Sequence, residues 1–296
     1  STSLTSRTKR DRTLIEITVI GSDREGVVSE ITNSIFRNGG NIEQINQKVV
    51  QGLFGMHLQA SFHNSVNLHD LGSELRSLSS KLQMEIKAHF EEPYRKKNVA
   101  LLVSKEPHCL SRILTALNRQ EIDSNISVII GSEDTFKSIA EELSIPFRFV
   151  SYENGSMNAE KEILDTIENY NIDLIVLARY MRILTPNFVW RYPNRIINIH
   201  PSLLPAFPGA FAYVQAYERG AKIVGCTAHF VTEELDQGPI ICQDAFKVTE
   251  VDTLETIKNK GQELEAATLL EAVKLFLEDR LEVYWSKVHT VPKRSR

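Results

Sequence analysis

One stretch, residues 195–243, decides the fold of the larger part of the chain; it reads RIINIHPSLLPAFPGAFAYVQAYERGAKIVGCTAHFVTEELDQGPIICQ. The β-branched run at 196–199 predicts a buried strand, which stops where a histidine and a proline follow. A helical pattern at 212–219, a second strand at 222–231 and an acidic loop around 236–238 come next. Buried strands that end in polar loops are where α/β folds bind their ligands, so the stretch predicts such a fold and its site.

Three polar side chains in this stretch suggest chemistry. Asn198 and His200 are two positions apart on a predicted strand, so their side chains share a face. An amide N–H beside an imidazole can stabilise an oxyanion and transfer a proton. Asp236 could orient the imidazole or an attacking water if the fold brings it near. Alone, His200 could be an ordinary strand-end histidine and Asp236 an ordinary loop residue; their combination favours catalysis.

Two motifs in the stretch are similar to the signature of the folate-dependent formyltransferases. The first, at 198–205, reads Asn-Ile-His-Pro-Ser-Leu-Leu-Pro, and the second is Asp-Gln-Gly at 236–238. Between them, 225–231 reads Gly-Cys-Thr-Ala-His-Phe-Val, which also matches. The resemblance implies a formylated folate as substrate, with no metal and no separate cofactor. The residues that it implies as the catalytic trio are Asn198, His200 and Asp236.

A further part of the resemblance concerns the folate ring. In this family a Met-Arg-Ile-Leu run supplies backbone contacts to the pterin, and this chain has the run at 181–184. The loop at 231–236 is expected to complete the pocket. The alternative is that the apolar side chains of the run simply belong to the core. The folate-binding positions that the resemblance implies are Arg182, Leu184, Val231, Glu234 and Gly238.

Length and composition limit the class of protein. The 296 residues suit two domains or one large one, and 42% hydrophobic with 24% charged residues is typical of a globular protein. A net charge of −4 argues against a nucleic-acid partner, and three widely spaced cysteines suit a reducing compartment. No apolar run approaches the ~20 residues that cross a bilayer, and the start of the chain lacks a signal-peptide core. We therefore expect a cytoplasmic protein with no membrane partner.

From residue 98 onward, strands and helices alternate, which predicts parallel βαβ units in a doubly wound, mostly parallel sheet. The strands predicted ahead of the central stretch are 99–103, 126–130, 147–150 and 174–177. The helices predicted between them are 110–117, 135–143 and 159–170. After the stretch we expect a strand at 240–248 and a long helix at 253–279 that lies across the sheet edge.

The first part of the chain predicts a separate ferredoxin-like unit with the order βαββαβ. Its predicted strands are 13–20, 41–50, 53–62 and 84–90. Helical spacing of apolar residues predicts helices at 27–38 and 68–82, and a glycine pair ends the first of them. The charged, proline-containing segment at 91–98 is expected to link this unit to the next.

The turns of this unit resemble those of ACT domains, with Asp-Arg-Glu-Gly before the first helix and Gly-Gly-Asn-Ile after it. Such domains bind small amino acids at these turns or between paired copies. The resemblance therefore implies an amino-acid effector and a homo-oligomer. The implied ligand residues are Asp23, Gly26 and Asn41. Alternatively, the glycines serve only as a turn and a helix cap, and the unit only mediates dimerisation.

An ACT-like unit at 13–92 ahead of a formyltransferase-like unit at 98–286 is the layout of the formyltetrahydrofolate deformylases. The loop at 104–110, Ser-Lys-Glu-Pro-His-Cys-Leu, is also similar to that family and lacks the glycines of a phosphate-binding loop. The resemblance implies a hydrolase that converts 10-formyltetrahydrofolate to tetrahydrofolate and formate, supplying formate and one-carbon units for purine synthesis.

Two alternatives accompany this expectation. The residues at 200–205 and at 131–134 differ from those usual in deformylases. A phosphoribosylglycinamide formyltransferase is therefore the first alternative. The second is a non-catalytic protein that senses folate or an amino acid.

Overall fold

The computed structural model describes residues 12–90, 92, 95–207 and 211–293. The chain divides into two compact units between Arg95 and Lys96. The polar segment at the start of the chain, and residues 91, 93 and 94 of the predicted linker, lie outside the described residues.

The N-terminal unit is a four-stranded antiparallel sheet covered by two helices. Its elements are β1 (Arg12–Ser22), α1 (Val27–Arg37), β2 (Asn41–Val50), β3 (Leu53–His63), α2 (Leu68–Leu82) and β4 (Glu85–Phe90). The strands lie in the order β2-β3-β1-β4, and every neighbouring pair is antiparallel. Strand residues such as Ile17 and Leu58 pack with helix residues such as Ile31 and Leu75 in one core. The predicted ferredoxin-like order is confirmed.

The C-terminal unit is built on a seven-stranded sheet. Its elements are β5 (Lys97–Val103), α3 (His108–Asn118), β6 (Ser124–Gly131), α4 (Lys137–Glu142), β7 (Phe147–Phe149), α5 (Ser156–Glu168), β8 (Leu174–Leu177), α6 (Pro186–Val189), β9 (Ile196–His200), α7 (Ala212–Glu218), β10 (Ile223–Phe230), β11 (Ile240–Lys247), α8 (Leu254–Leu277), β12 (Leu281–Tyr284) and β13 (Lys287–Thr290). The sheet order is β11-β10-β9-β8-β5-β6-β7. Strands β5 to β9 are parallel, whereas β10 and β11 are antiparallel to their neighbours.

Helices cover both faces of this sheet, which confirms the predicted doubly wound fold. On one face, Leu101 of β5 packs with residues of α3, α4 and α8. On the other face, Leu102 packs with Ile163 of α5 and Phe188 of α6. Because both faces of the strand are covered, β5 is a continuous apolar run from residue 99 to residue 103.

The bounds of the predicted helices and strands agree with the structure to within three residues, but the position predicted for the last long helix is wrong. Helix α8 packs on a face of the sheet, where Leu269 and Val273 join the core that contains Leu101. Its apolar stripe at i, i+3, i+4 and i+7 is that of a core-facing helix, in spite of the charges between. Although α8 has 24 residues, no helix in the described residues is both long and apolar enough to span a membrane.

The hairpin formed by β12 and β13 was not predicted. Its two turn residues, Trp285 and Ser286, have φ angles of 54° and 60°. Positive φ at both central residues is the conformation of a type I′ turn, for which sequences usually carry Asn-Gly or Asp-Gly. Since neither residue is typical of that turn, the sequence did not indicate a hairpin here. The hairpin spans residue 286, where the predicted catalytic domain ends.

Candidate active site

Strand β9 presents its polar side chains on one face of the sheet. Ile197 and Ile199 belong to the core beneath α3 and α8, so the alternation of the strand turns Asn198 and His200 to the opposite face. His200 is buried, and its Nε2 donates a hydrogen bond to the backbone carbonyl of Phe207 at 3.0 Å. The two side chains therefore face the same way at the carboxyl end of a central strand.

Asp236 reaches this pair because the chain returns beside β9. Strand β10 runs antiparallel to β9 with His229 opposite Asn198, and the loop that follows carries Asp236. Asp236 Oδ1 lies 3.5 Å from His200 Nδ1, and the two side chains are only 5% and 7% exposed. The structure thus brings His200 and Asp236 of the predicted trio together, and the half-buried Asn198 lies on the same face of β9 as His200.

The loop that holds Asp236 is shaped by its backbone. Phe230 N donates to the carbonyl of Pro239 at 3.0 Å, which closes the loop at its base. A Cβ at Gly238 would lie 1.6 Å from the carbonyl oxygen of Phe230, so only glycine fits there. Asp236 itself has a φ of 57°, in the left-handed region that few non-glycine residues adopt. The carboxylate is therefore aimed by a loop with little freedom.

His229 belongs to the same group, although the sequence had assigned it no role. Its Nε2 lies 3.5 Å from Asn198 Nδ2 and 4.0 Å from Asp236 Oδ1. Burial, which disfavours a charged ring, lowers the pKa of His229 below its usual 6.5. The sequence could have indicated His229 as a site residue. Thr227 and His229 alternate with apolar residues in a buried strand, and polar residues at every second position share one face of it.

The hydrogen bonds of His229 determine how it meets the trio. Its Nδ1 lies 2.9 Å from the backbone carbonyl of Phe230, which can only accept, so Nδ1 carries the hydrogen. In the neutral ring Nε2 then accepts from Asn198 Nδ2. The group as a whole offers an amide donor, two imidazoles and a carboxylate. Such a set can stabilise an oxyanion, orient a water molecule and move a proton.

The loop between β8 and α6 carries two of the predicted folate positions, Arg182 and Leu184. Met181 and Ile183 are 56% and 69% exposed, whereas Leu184 is buried. Of the three apolar side chains in this run, only Leu184 therefore lies in the core. Arg182 Cζ lies 4.4 Å from the centre of the Tyr152 ring, within the range of a cation–π contact.

Buried polar groups hold the backbone of this loop. Met181 N donates to Ser104 Oγ at 3.0 Å, and Thr185 N donates to Glu160 Oε2 at 2.8 Å. Glu160 is a buried carboxylate of α5 and accepts a second hydrogen bond from the Thr185 hydroxyl. The loop is consequently fixed at both sides of Arg182, a preorganised arrangement that suits ligand binding.

The remaining predicted folate positions, Val231, Glu234 and Gly238, lie in the loop that carries Asp236. Val231 and Leu184 contribute to the same apolar cluster, which joins this loop to the one after β8. Glu234 is exposed, and its carbonyl accepts from Gln237 N at 3.3 Å. The five positions thus form two groups, on two loops that share a core.

The three candidate ligand residues of the N-terminal unit lie at two ends of its sheet. Asp23 N donates to the carbonyl of Gly52 at 2.8 Å, and Gly26 directly precedes α1. Asn41 begins β2 opposite Ser61, at the other end of the sheet. Helix α1 carries the chain from one end to the other, and a strand of 10 residues separates them by about 30 Å. Within one chain the structure does not bring the three together.

Metal ligands are not gathered in the part of the chain that the structure describes. There, no group of three or more His, Cys, Asp or Glu side chains is placed to hold a metal ion. The cysteines are free, and two of them, Cys109 and Cys226, are fully buried.

Two protein families match the chain. The sequence model of the family described as Formyl transferase matches residues 97–273, and that of the ACT domain matches residues 13–89. The first match contains the whole candidate active site. The second contains the three candidate ligand residues of the N-terminal unit.

Individual relatives extend these matches over most of the chain. A formyltetrahydrofolate deformylase of Escherichia coli O6:H1 is 42% identical over 270 residues, which is 90% of this chain and 94% of that protein. The deformylase of Bacillus subtilis is 40% identical over 90% of this chain and 89% of its own length.

Solved structures agree with the sequence relatives. A deformylase from Pseudomonas syringae pv. tomato superposes with a TM-score of 0.66 at 31% identity, covering 95% of both chains. A glycinamide ribonucleotide transformylase from Symbiobacterium toebii has a TM-score of 0.64 at 33% identity but covers 69% of this chain. Because both family models match and deformylases match over 90% or more of the chain, the chain belongs to the formyltetrahydrofolate deformylase family.

Proposed function

We propose that the chain hydrolyses 10-formyltetrahydrofolate to tetrahydrofolate and formate. The observation that carries the proposal is the cluster of Asn198, His200 and Asp236, joined through His229, in a chain that is 42% identical to a named deformylase. The same reaction would supply formate and one-carbon units for purine synthesis. We assign the reaction to the cytoplasm, with water as the acceptor and without a metal or a separate cofactor.

The proposed reaction begins when water attacks the formyl carbon. Asp236 orients the water and draws its proton as the new C–O bond forms. The electron pair of the formyl carbonyl moves to its oxygen, and the Asn198 amide stabilises the resulting oxyanion together with His200. When the tetrahedral adduct collapses, the bond from carbon to the folate nitrogen breaks and His200 supplies the proton that this nitrogen takes up. Asp236 then returns the proton taken from water to His200, whose Nδ1 lies 3.5 Å from Asp236 Oδ1. His200 must exchange its hydrogen bond to the Phe207 carbonyl for one to the substrate.

We assign folate binding to the two loops that flank this group. Arg182 and Leu184 come from the loop after β8, and Val231, Glu234 and Gly238 from the loop that carries Asp236. The anchoring of the first loop by Glu160 supports this assignment, because a fixed backbone loses little entropy when the pterin binds. These residues lie in the proposed catalytic domain, 98–286.

The proposal is tested with the purified chain and 10-formyltetrahydrofolate, with and without glycinamide ribonucleotide. We expect formate and tetrahydrofolate to be released at the same rate in both samples. Recovery of the formyl group on the ribonucleotide, with turnover only in its presence, would instead establish a transferase. Absence of turnover in both samples, with folate binding retained, would establish a non-catalytic folate-binding protein.

We propose further that the domain at 13–92 binds a small amino acid between two copies of the chain in a homo-oligomer. The separation of Asp23 and Gly26 from Asn41 supports a site between copies, since one chain cannot bring them together. Glycine or methionine should then raise the melting temperature of the full chain.

Two variants distinguish the arrangements. For a site between copies, Asp23→Ala and Asn41→Ala should each abolish the shift, whereas the exposed Ser65→Ala should keep it. If only one of the two variants matters, the site lies at one end of the sheet. A monomer by light scattering, or no shift with any amino acid, contradicts the proposal and leaves no effector role for the domain.

A further inference from the structure

The order of the sheet identifies a second place where a ligand would be expected. The chain proceeds from β5 outward to β7, and then returns to add β8 and β9 on the other side of β5. In doubly wound sheets, ligands bind in the crevice outside the carboxyl ends of the strands at this reversal. Here that crevice lies between the loop after β5 and the loop after β8.

The crevice is occupied by a buried ion pair. Arg179, two residues after β8, has its Nη1 3.3 Å from Glu265 Oε1 of α8, with side chains 12% and 1% exposed. Arg179 Nε also lies 3.5 Å from Glu106 Oε2 in the loop after β5. Arg179 has a φ of 63°, a conformation that glycine adopts freely and arginine seldom does. The chain therefore accepts backbone strain at the position that carries the guanidinium group into the crevice.

Further polar side chains complete this cluster. His108, the first residue of α3, lies between the two carboxylates, with Nε2 3.5 Å from Glu265 Oε1 and Nδ1 3.7 Å from Glu106 Oε2. The Tyr213 hydroxyl of α7 donates to the other oxygen of Glu265. A Cβ at Gly261 would lie 2.3 Å from that hydroxyl, so glycine is what lets Tyr213 approach. Each group lies beside an oppositely charged or hydrogen-bonding member of the cluster, although Arg179 Nε itself makes no hydrogen bond within the described part of the chain, so an outside ligand would have to compete with these partners.

The charges of the cluster also oppose a phosphate. The amino end of a helix ordinarily attracts anions through its free N–H groups. At α3 the carboxylates of Glu106 and Glu265 already lie beside His108 in the first turn, where negative charge is favoured. A phosphorylated molecule would have to displace these carboxylates from Arg179 and His108 and would be repelled by them.

We propose that Arg179, held by Glu106 and Glu265, determines the specificity of the reaction by closing the crevice to a phosphorylated amine. The formyl group can then be transferred only to water. The inference deepens the proposed function and rests on it, because it concerns which acceptor reaches the same site. Arg179 acts by occupying space and charge, and it is a specificity residue with no part in the bond-breaking steps.

The test uses the full chain with Arg179→Gly and Glu265→Gln together, which remove the guanidinium group and the charge of its buried partner while glycine suits the positive φ at 179. Binding of glycinamide ribonucleotide and of ribose 5-phosphate is measured by calorimetry, in the absence of folate. We expect the variant to bind the ribonucleotide at least about tenfold more tightly than the natural chain. Formate release by the variant should also become sensitive to inhibition by the ribonucleotide. Gln120→Gly, which likewise puts glycine at a positive φ but replaces an exposed residue outside the cluster, beyond the far end of α3 from His108, is the control and should leave both measurements unchanged.

The outcomes separate this inference from the proposed function. Formate release by the natural chain tests the function, whereas ribonucleotide binding by the variant requires no turnover. A folded double variant, Arg179→Gly with Glu265→Gln, that binds neither phosphorylated compound better than the natural chain overturns the inference. If that variant does not fold, Glu106→Gln serves instead, because Glu106 is 39% exposed and its loss leaves Glu265 paired with Arg179. Unchanged binding in Glu106→Gln would then overturn the inference.

Discussion

Two groups of buried polar residues lie in the C-terminal unit and differ in how their charges are used. In the first, Asn198 and His200 share a face of β9, and Asp236 Oδ1 in the loop after β10 lies 3.5 Å from His200 Nδ1. In the second, Arg179 and Glu265 meet at 3.3 Å, with Glu106, His108 and Tyr213 around them. The side chains of the first group come from a strand and a loop, and each offers hydrogen-bond donors or acceptors on the same side of the sheet. The second is a network in which each charge has an opposite charge beside it.

The difference distinguishes a site from a closed network. Catalysis needs groups that can form new hydrogen bonds as charge develops in the substrate. A buried charge that already has its partners contributes to the shape and stability of the fold, and removing one partner leaves the other uncompensated. We therefore expect changes in the first group to affect turnover and changes in the second to affect stability and acceptor choice.

The largest expected effect is on turnover, in Asp236→Asn. The amide keeps the size of the side chain but cannot accept the proton of the attacking water. The rate of formate release should fall by roughly 10²–10⁴-fold, the usual contribution of a general acid or base. Folate binding and the melting temperature should change little, and the exposed Asp134→Asn should behave like the natural chain. Equal losses of activity and of folding would make Asp236 a structural residue and remove the contrast between the groups.

The next effect is on stability, in Glu265→Ala. This change leaves the Arg179 guanidinium buried without its main partner, and the free energy of unfolding in urea should fall by about 3–5 kcal/mol. Glu162→Ala is the matched control, because it breaks the exposed Arg148–Glu162 pair and should lower the free energy by less than about 1 kcal/mol. Similar losses of unfolding free energy in the two variants would show that breaking the buried Arg179–Glu265 pair costs no more than breaking an exposed pair.

The smallest effect concerns pH and His229. Because burial lowers the pKa of His229 in the folded chain, the unfolded chain binds a proton at this residue first as the pH falls below 6.5. The stability that depends on neutral His229 is therefore present above pH 6.5 and is lost as the pH falls through the lowered pKa. Each unit of pKa difference corresponds to about 1.4 kcal/mol.

The measurement compares the natural chain with His229→Gln, whose side chain does not titrate in this range. The free energy of unfolding should decrease less in the variant than in the natural chain between about pH 8 and about pH 5. Parallel curves for the two proteins would mean that His229 titrates alike when folded and unfolded.

Local patterns predicted most of the fold. Apolar alternation and helical spacing located the strands and helices to within three residues, because side-chain period depends only on backbone geometry. The exceptions were features without a local signal. The Trp285-Ser286 turn lacks the usual turn residues, and the packing of α8 on a sheet face depended on which surface was still uncovered.

The sequence by itself determined which polar side chains the predicted trio offers. It also determined that Asn198 and His200 share a face, because residues two positions apart on a strand point the same way. Only the tertiary structure decided what joins them. Strand pairing placed His229 opposite Asn198, and the loop after β10 returned Asp236 to His200. The order of the sheet and the packing of α8 brought His108 to Glu265 across 157 residues. Residue type and period act over a few positions, whereas contacts at such separations depend on the order in which strands and helices pack, which no local pattern encodes.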